Sequence, residues 1–407
     1  MAKAKEGLGM IHFNEKCQAY KLVSTVALTG EYPLCLLELL GNKRMFRATL
    51  KKMTEEQTYF NDRTKETVKI KVFTIVGKGQ GRCIRFLKSS YPILKWANLY
   101  EYYINSYGQS NFSGGEKHKE RSFLIAETVG LLKSAGFECN PAKLPNLWQY
   151  NENNLSLMPQ PCFYHIRDLK GDKNFELKKT IFTRSVGAFF LHNKMYTLYN
   201  MGGQMIKLWE NGETKMRHSL CELFCKNSTL QVLPHSAILF GKYIFDGVKT
   251  LRFIYNKRTN RRKSYTDSTF YSKVLFLPSD ETGIRLLRCM VACENFHVEA
   301  IKYCRDVNDS NLFSTVYHTD VDKGVTYYNL LSCNLSYFLS LKKLQEDNPY
   351  HKFVIFCHEH QLELVKKILS KNRNIYSFPL NVIETIAGLR PSKEASYEEN
   401  EKQNGDT

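Results

Sequence analysis

The stretch YPLCLLELLGNKRMFRATLKKMTEEQ (32–57) decides how the first quarter of the chain is read. Its first part, 32–40, is almost wholly apolar, and Pro33 suits the first turn of a helix. Gly41-Asn42 is a turn signal. The part 43–57 then places Met45, Phe46, Leu50 and Met53 at helical spacing, with Lys43, Arg44, Arg47, Lys51 and Lys52 on the other side. Upstream, 15–29 has apolar positions at Tyr20, Val23, Val26 and Ala27 and stops at Gly30, a further helix. Downstream, TVKIKVFTIV (67–76) and GRCIRFL (81–87) alternate as strands around a basic hairpin tip, 77–81.

Three helices followed by a hairpin with a basic tip is the order of a winged helix-turn-helix. In such modules the third helix enters the major groove and the hairpin reaches phosphates. Arg44, Arg47, Lys51 and Lys52 are expected to face DNA, Lys43 a phosphate near the helix N-terminus, and Lys78 and Arg82 phosphates from the wing. Residues 1–100 hold 18 Lys/Arg against 8 Asp/Glu, more than half of the net charge of +18 carried by all 407 residues. That balance favours a polyanion as partner, although a charged helix face is also an ordinary solvated surface.

Helices are expected over 91–107 and 121–135, the second free to dock on the winged helix, to join two domains or to form a dimer face. Beyond a turn-rich stretch, 141–157, strands and helices alternate. Strands are read at 163–169, 176–182, 236–239 and 273–277, a hairpin at 186–191 and 195–199, and helices at 215–225 and 283–293. The end reads as strand 326–331, helix 335–346, strand 352–357, helix 362–369 and strand 375–378. The fold class is α/β with a mixed sheet. The expected domains are a winged helix with its trailing helix (1–107), a linker and connecting helix (108–157), an α/β domain (158–390) and a disordered acidic tail (391–407). No repeat with a period of 20–50 residues is evident.

The composition, 43% apolar and 24% charged, is that of a globular protein. No apolar run is long enough to cross a membrane, and residues 1–10 lack the apolar core of a secretory signal, so a cytoplasmic protein without a membrane partner is expected. The 12 cysteines are dispersed, with no CxxC pair, and read as buried thiols in a reducing compartment.

No GxxxxGK[ST] loop is present, so no nucleotide cofactor is expected. Cys289, Cys293 and His297 share a helical stripe, as do His218, Cys221 and Cys225, but their apolar neighbours fit buried helix faces better than metal ligation. His358-Glu359-His360 follows a buried strand at its carboxyl end, a functional position in α/β sheets, although HxH there is also a frequent chance pattern. No metal and no catalytic residue is assigned. A Mg²⁺-dependent nuclease would need an Asp and then Glu/Asp-x-Lys; Glu176-Leu177-Lys178 has that spacing with only Asp168 and Asp172 upstream, and Glu299 to Lys302 does not. The run KRTNRRK (257–263) offers Lys257, Arg258, Arg261, Arg262 and Lys263 as a second phosphate-contacting loop or a solvated one.

The basic N-terminal module, RSFLIAETVGLLKSAGFE (121–138), TRSVGAFFLHNKMYTLYNMGG (183–203) and IKLWENGETKMR (206–217) together resemble Firmicute proteins of plasmids and conjugative elements related to the replication-relaxation family. The resemblance spans about residues 15–300. It implies an N-terminal winged helix, a C-terminal α/β domain with a degenerate nuclease-like fold, and action on element DNA in replication, mobilisation or their control. Duplex DNA, other replication or mobilisation proteins and a second copy of the chain are the expected partners. A nicking accessory nuclease and a winged-helix adaptor between proteins are the alternatives.

Overall fold

A computed structural model describes residues 10–107, 115–147, 159–170, 184–227, 235–256, 258–267, 270–302, 317–320, 323–369 and 373–390. The chain divides into two compact units, one of residues 1–146 and 156–169, the other of 147–155 and 170–407. The fold is α/β.

In the first unit β1 (Ile11–Phe13) precedes α1 (Gln18–Thr29), whose buried face carries Leu22, Val23, Val26 and Ala27. The stretch expected as a second α-helix begins instead as strand β2 (Tyr32–Pro33) and continues as a 3₁₀ helix, Leu34–Leu40. Pro33 pairs with Cys83, and Leu37 and Leu40 are buried three residues apart, the period of a 3₁₀ helix. Helix α2 (Lys43–Met53) begins at Asn42, whose side chain accepts the Met45 amide at 3.1 Å. It ends at Thr54 and not at 57, and Gln57–Asn61 is strand β3.

The expected strand 67–76 is two strands, β4 (Thr67–Ile70) and β5 (Phe73–Val76). Val72 and Phe73 are both fully buried, which breaks the alternation of one strand. β3 lies between β1, parallel to it, and β4, antiparallel. The other sheet has the antiparallel order β2-β6-β5, with β6 at Cys83–Phe86. The Val72 amide bonds the Met53 carbonyl at 3.1 Å, so the chain leaves the end of α2, makes the β3–β4 hairpin and returns to its starting point.

The expected helix 91–107 is α3 (Tyr91–Trp96) and α4 (Tyr100–Tyr107), separated where Asn98 takes φ 55°. Helix α5 (Glu116–Ser134), expected within a linker, is a packed part of the first unit. Lys133 Nζ bonds Ser24 Oγ at 2.8 Å and Thr25 Oγ1 at 3.0 Å, and Gly130 admits the Tyr32 hydroxyl against the helix backbone. Strand β7 (Cys162–His165) also belongs to this unit.

The second unit repeats one connection pattern. In its first module the hairpin β8 (Ser185–Leu191) and β9 (Lys194–Asn200) turns on His192 and Asn193, both with positive φ. Helix α6 (Glu210–Asn227), strand β10 (His235–Gly241), helix α7 (Ile244–Arg252), strand β13 (Val274–Pro278) and helix α8 (Glu281–Ala292) follow, with β9, β10 and β13 parallel. A small hairpin, β11 (Ile254–Asn256) and β12 (Arg261–Lys263), is inserted before β13.

The second module, after helix α9 (Phe296–Lys302), is hairpin β14 (Tyr317–Asp320) and β15 (Val325–Asn329), then α10 (Leu335–Asp347), β16 (Lys352–His358), α11 (Leu362–Ile368), β17 (Arg373–Phe378) and α12 (Leu380–Ile386). β15, β16 and β17 are again parallel. The register coincides: Asn200 pairs with Phe240 and Asn329 with Phe356. Thr197-Leu198-Tyr199-Asn200-Met201 matches Thr326-Tyr327-Tyr328-Asn329-Leu330, and His235 and His351 each stand five residues before the paired Phe. The period of this repeat is far longer than 50 residues. Across the modules, the Arg285 guanidinium of α8 grips Glu384 of α12 at 2.7 and 2.9 Å. The expected strand 176–182 and the acidic tail 391–407 lie outside the described residues.

Candidate nucleic-acid interface

Helix α2 turns about 100° per residue, so Arg44, Arg47, Ala48, Lys51 and Lys52 form one face, opposite Phe46, Leu50 and Met53. The three apolar side chains are buried in the core of the unit with Val23, Leu37 and Phe73. The four cations are exposed, and among the described residues none of them forms an ion pair. Ala48 leaves the middle of this face without bulk. Lys43 stands apart: Glu38 takes its ammonium, so of the five predicted cations of α2 it is the one already neutralised.

Asn42, at the start of α2, and Thr49, in its middle, are both engaged. Asn42 caps the helix, and the Thr49 hydroxyl donates to Gln18 at 2.8 Å. The side chains of α2 left to meet a partner are therefore Arg44, Arg47, Lys51, Lys52 and the half-exposed Met45. Cations in the first turn work against the helix dipole, so Arg44 does nothing for the stability of α2.

The β5–β6 hairpin carries Lys78 and Arg82 at its tip, both exposed. Gly77 takes φ 88°, and a Cβ there would stand 2.5 Å from the Gly81 carbonyl, so the tip closes tightly only with glycine. Behind the tip lies a cavity of about 700 Å³, lined among others by Lys78, Lys119, Arg167 and Tyr107. The Arg167 guanidinium lies 3.9 Å from the centre of the Tyr107 ring.

The second basic run forms the tip of the β11–β12 hairpin. Arg258 and Arg261 are exposed, Arg262 lies over the Phe253 and Tyr255 rings, and Lys263 stands 3.7 Å from Glu210. Lys257 lies outside the described residues. Three of the five predicted cations, Arg258, Arg261 and Arg262, are thus exposed, and Arg262 and Lys263 also have partners in the local fold.

The nuclease set does not assemble among the described residues. Asp168 is in the first unit, where burial pushes its carboxyl up to about 6; Glu299 pairs with Lys302 at 2.8 Å; Glu176 and Asp172 are outside the described residues. The Cys289–Cys293–His297 stripe is interrupted, because α8 ends at Ala292 and Cys293 is extended. Cys221 Sγ on α6 lies 3.8 Å from His235 Nδ1. All described cysteines are free thiols, and no helix of the described residues is long and apolar enough to cross a membrane.

Sequence reasoning missed a buried polar network on the first module. Tyr199 and Tyr271 both donate to Glu213, and Thr197 bonds His235 at 2.7 Å. Burial pushes the Glu213 carboxyl up to about 7 and holds the His235 imidazole down at about 3. The signal available was one of two glutamates in a polar stretch, Glu210 to Lys215, which does not reveal its partners.

No protein-family model, curated protein or solved structure matches the chain.

Proposed function

We propose that the first unit is a winged helix-turn-helix and that the protein binds duplex DNA through it. One observation carries the reading: the exposed, unpaired cations of α2 lie opposite its buried face, in a chain whose order becomes that of a winged helix once the β3–β4 hairpin is set aside. The strand order β2-β6-β5 then supplies the sheet, Leu34–Leu40 the second helix, α2 the third and the Gly77–Arg82 tip the wing. Arg44 and Arg47 are the residues suited to guanine edges, since a guanidinium donates to O6 and N7 together. Lys51, Lys52, Lys78 and Arg82 serve phosphates, and Arg258 and Arg261 are available for a second phosphate contact. Lys43 contributes only after leaving Glu38.

The biological setting that fits is a cytoplasmic role in replication, mobilisation or their control on a plasmid or conjugative element, as the family resemblance implies. The second unit then engages a replication or mobilisation protein, or a second copy of the chain.

The test is fluorescence anisotropy of labelled duplex DNA across a salt series, with the Arg44→Ala/Arg47→Ala/Lys51→Ala triple variant alongside. Wild-type binding should weaken steeply with salt. The triple variant should bind less tightly and discriminate less between sequences, with a logarithmic slope lower by about 1, since Lys51 is the phosphate contact it removes and each phosphate left without its cation removes about 0.9 from the slope. Absence of binding at near-physiological salt, or binding indifferent to the three substitutions, overturns the proposal.

A further inference from the structure

Helix α2 offers a partner more than charge. Met45, in its first turn, is 54% exposed, and Ala48 is exposed one turn on. Residues three apart on a helix are neighbours, so the two form a short apolar strip among the cations. Arg44 and Lys51 border the strip on one side, and Lys52 continues it toward the end of the helix. An exposed hydrophobe alone is ordinary, but the placement of this one is not random with respect to the cations. Among the described residues of the first unit, the large exposed apolar side chains are Met10, Met45 and Ile75. Two of these three stand on α2 and on β5, the elements assigned to DNA.

What α2 lacks is equally informative. In the major groove an Asn or Gln amide reads adenine and a carboxylate reads cytosine, whereas Arg reads guanine and an apolar side chain reads the 5-methyl group of thymine. Residues Lys43–Met53 include no Asn, Gln, Asp or Glu. The Asn42 side chain caps the helix, and the one hydroxyl, Thr49, donates to Gln18. The bases open to direct reading by the exposed side chains of α2 are therefore guanine and thymine.

We infer that Met45 reads the 5-methyl group of a thymine that adjoins a guanine read by Arg44 or Arg47. The inference rests on duplex binding through α2. A helix lying in the major groove turns its N-terminal residues to the base edges, and Met45 is in that turn. Ala48 adds no bulk that would hold the helix away from the bases. The unbranched thioether of Met45 can follow the methyl group, and the contact removes both from water. Adenine and cytosine are then specified only through the thymine and guanine that pair with them.

The test begins with the duplex that the full chain selects from a random-sequence pool. That duplex is remade with deoxyuridine replacing one thymidine at a time, and binding is read by fluorescence anisotropy. Uracil keeps O4 and its pairing and lacks only the methyl group. At a thymine beside a guanine, wild type should bind the uracil duplex about fourfold more weakly, the worth of one buried carbon. Met45→Ala, at an exposed position, should keep the urea midpoint and bind the thymine and uracil duplexes alike. Arg47→Ala should bind both less tightly and retain the difference between them. A selected site without thymine beside guanine, equal wild-type affinity for the two duplexes, or a difference that survives Met45→Ala overturns the inference and leaves duplex binding standing. Absence of binding to any member of the pool overturns both.

Discussion

Strands β9 and β10 of one module and β15 and β16 of the other carry matching residues in the same register, yet they dispose of their polar groups in opposite ways. In the first module the tyrosine hydroxyl of the shared Thr-x-Tyr-Asn motif, Tyr199, donates to a buried carboxylate, Glu213. In the second, Tyr328 donates to the Tyr337 carbonyl of α10 at 2.8 Å and shares a hydrogen bond with Ser340 Oγ at 2.7 Å. The asparagines do the same work in both: Asn200 accepts the Gly202 amide and Asn329 the Leu331 amide, each at 2.9 Å. Backbone-directed polar groups are thus kept, because they shape the strand end. The layer above them differs, closed around a carboxylate in one module and holding in the other a histidine, His358, bound to the Leu331 carbonyl. The frame that the modules share is what stabilises both, and the strand ends are where they differ.

The largest expected effect tests the frame. Phe240 and Phe356 are the paired residues of the register, 0% and 1% exposed. Phe240→Ala and Phe356→Ala should each cost about 3–5 kcal/mol of unfolding free energy in urea titrations, through reduced burial and a residual cavity. Similar costs support equivalence of the two positions. A cost below about 1 kcal/mol at either one breaks it.

The parts of this architecture that a reader of the sequence could see are those signalled locally. Asn42 before an apolar-periodic run marks the start of α2, His192-Asn193 marks the β8–β9 turn, and both were legible. Boundaries set by tertiary pairing were not: Pro33 joins a sheet through Cys83, and the fully buried Val72-Phe73 pair splits one apparent strand between two sheets. The repeat escaped notice because only a few residues recur, Thr, Tyr and Asn on one strand and His and Phe on the next, and their equivalence emerges only from the register. The cationic face of α2 was readable from helical spacing, whereas the capture of Lys43 by Glu38 depends on how the 3₁₀ helix ends. His358-Glu359-His360 was visible as a pattern, but the bond of His358 to the Leu331 carbonyl was not.

The closed carboxylate should give the first module a pH dependence of its own. Glu213 has its ordinary value of 4.5 in the unfolded chain and about 7 when folded, so between these limits the folded state holds the extra proton. Its contribution is therefore full below about pH 4.5 and is lost as the pH rises through about 7, a change on the order of 3 kcal/mol. Wild type should lose stability relative to Glu213→Gln over this range in urea titrations at successive pH values. The difference between wild type and Tyr328→Phe should stay flat, since the Tyr328 hydroxyl bonds a carbonyl and a serine hydroxyl, neither of which titrates in this range. Equal slopes for both pairs would remove the distinction drawn between the modules.

The smallest effect concerns the threonine–histidine bond that the modules share. Thr197 bonds His235 at 2.7 Å, and Thr326 bonds His351 at 3.2 Å. His235 is 4% exposed, whereas His351 is half-buried and can turn its ring nitrogen to water. Thr197→Val leaves a buried nitrogen unpaired and should cost about 1–3 kcal/mol, while Thr326→Val should cost about 0.5 kcal/mol, since solvent replaces the missing partner. The same urea titrations read both. An equal cost would mean that burial of the histidine does not set the worth of the bond; a larger cost at Thr326 would place the more constrained strand end in the second module.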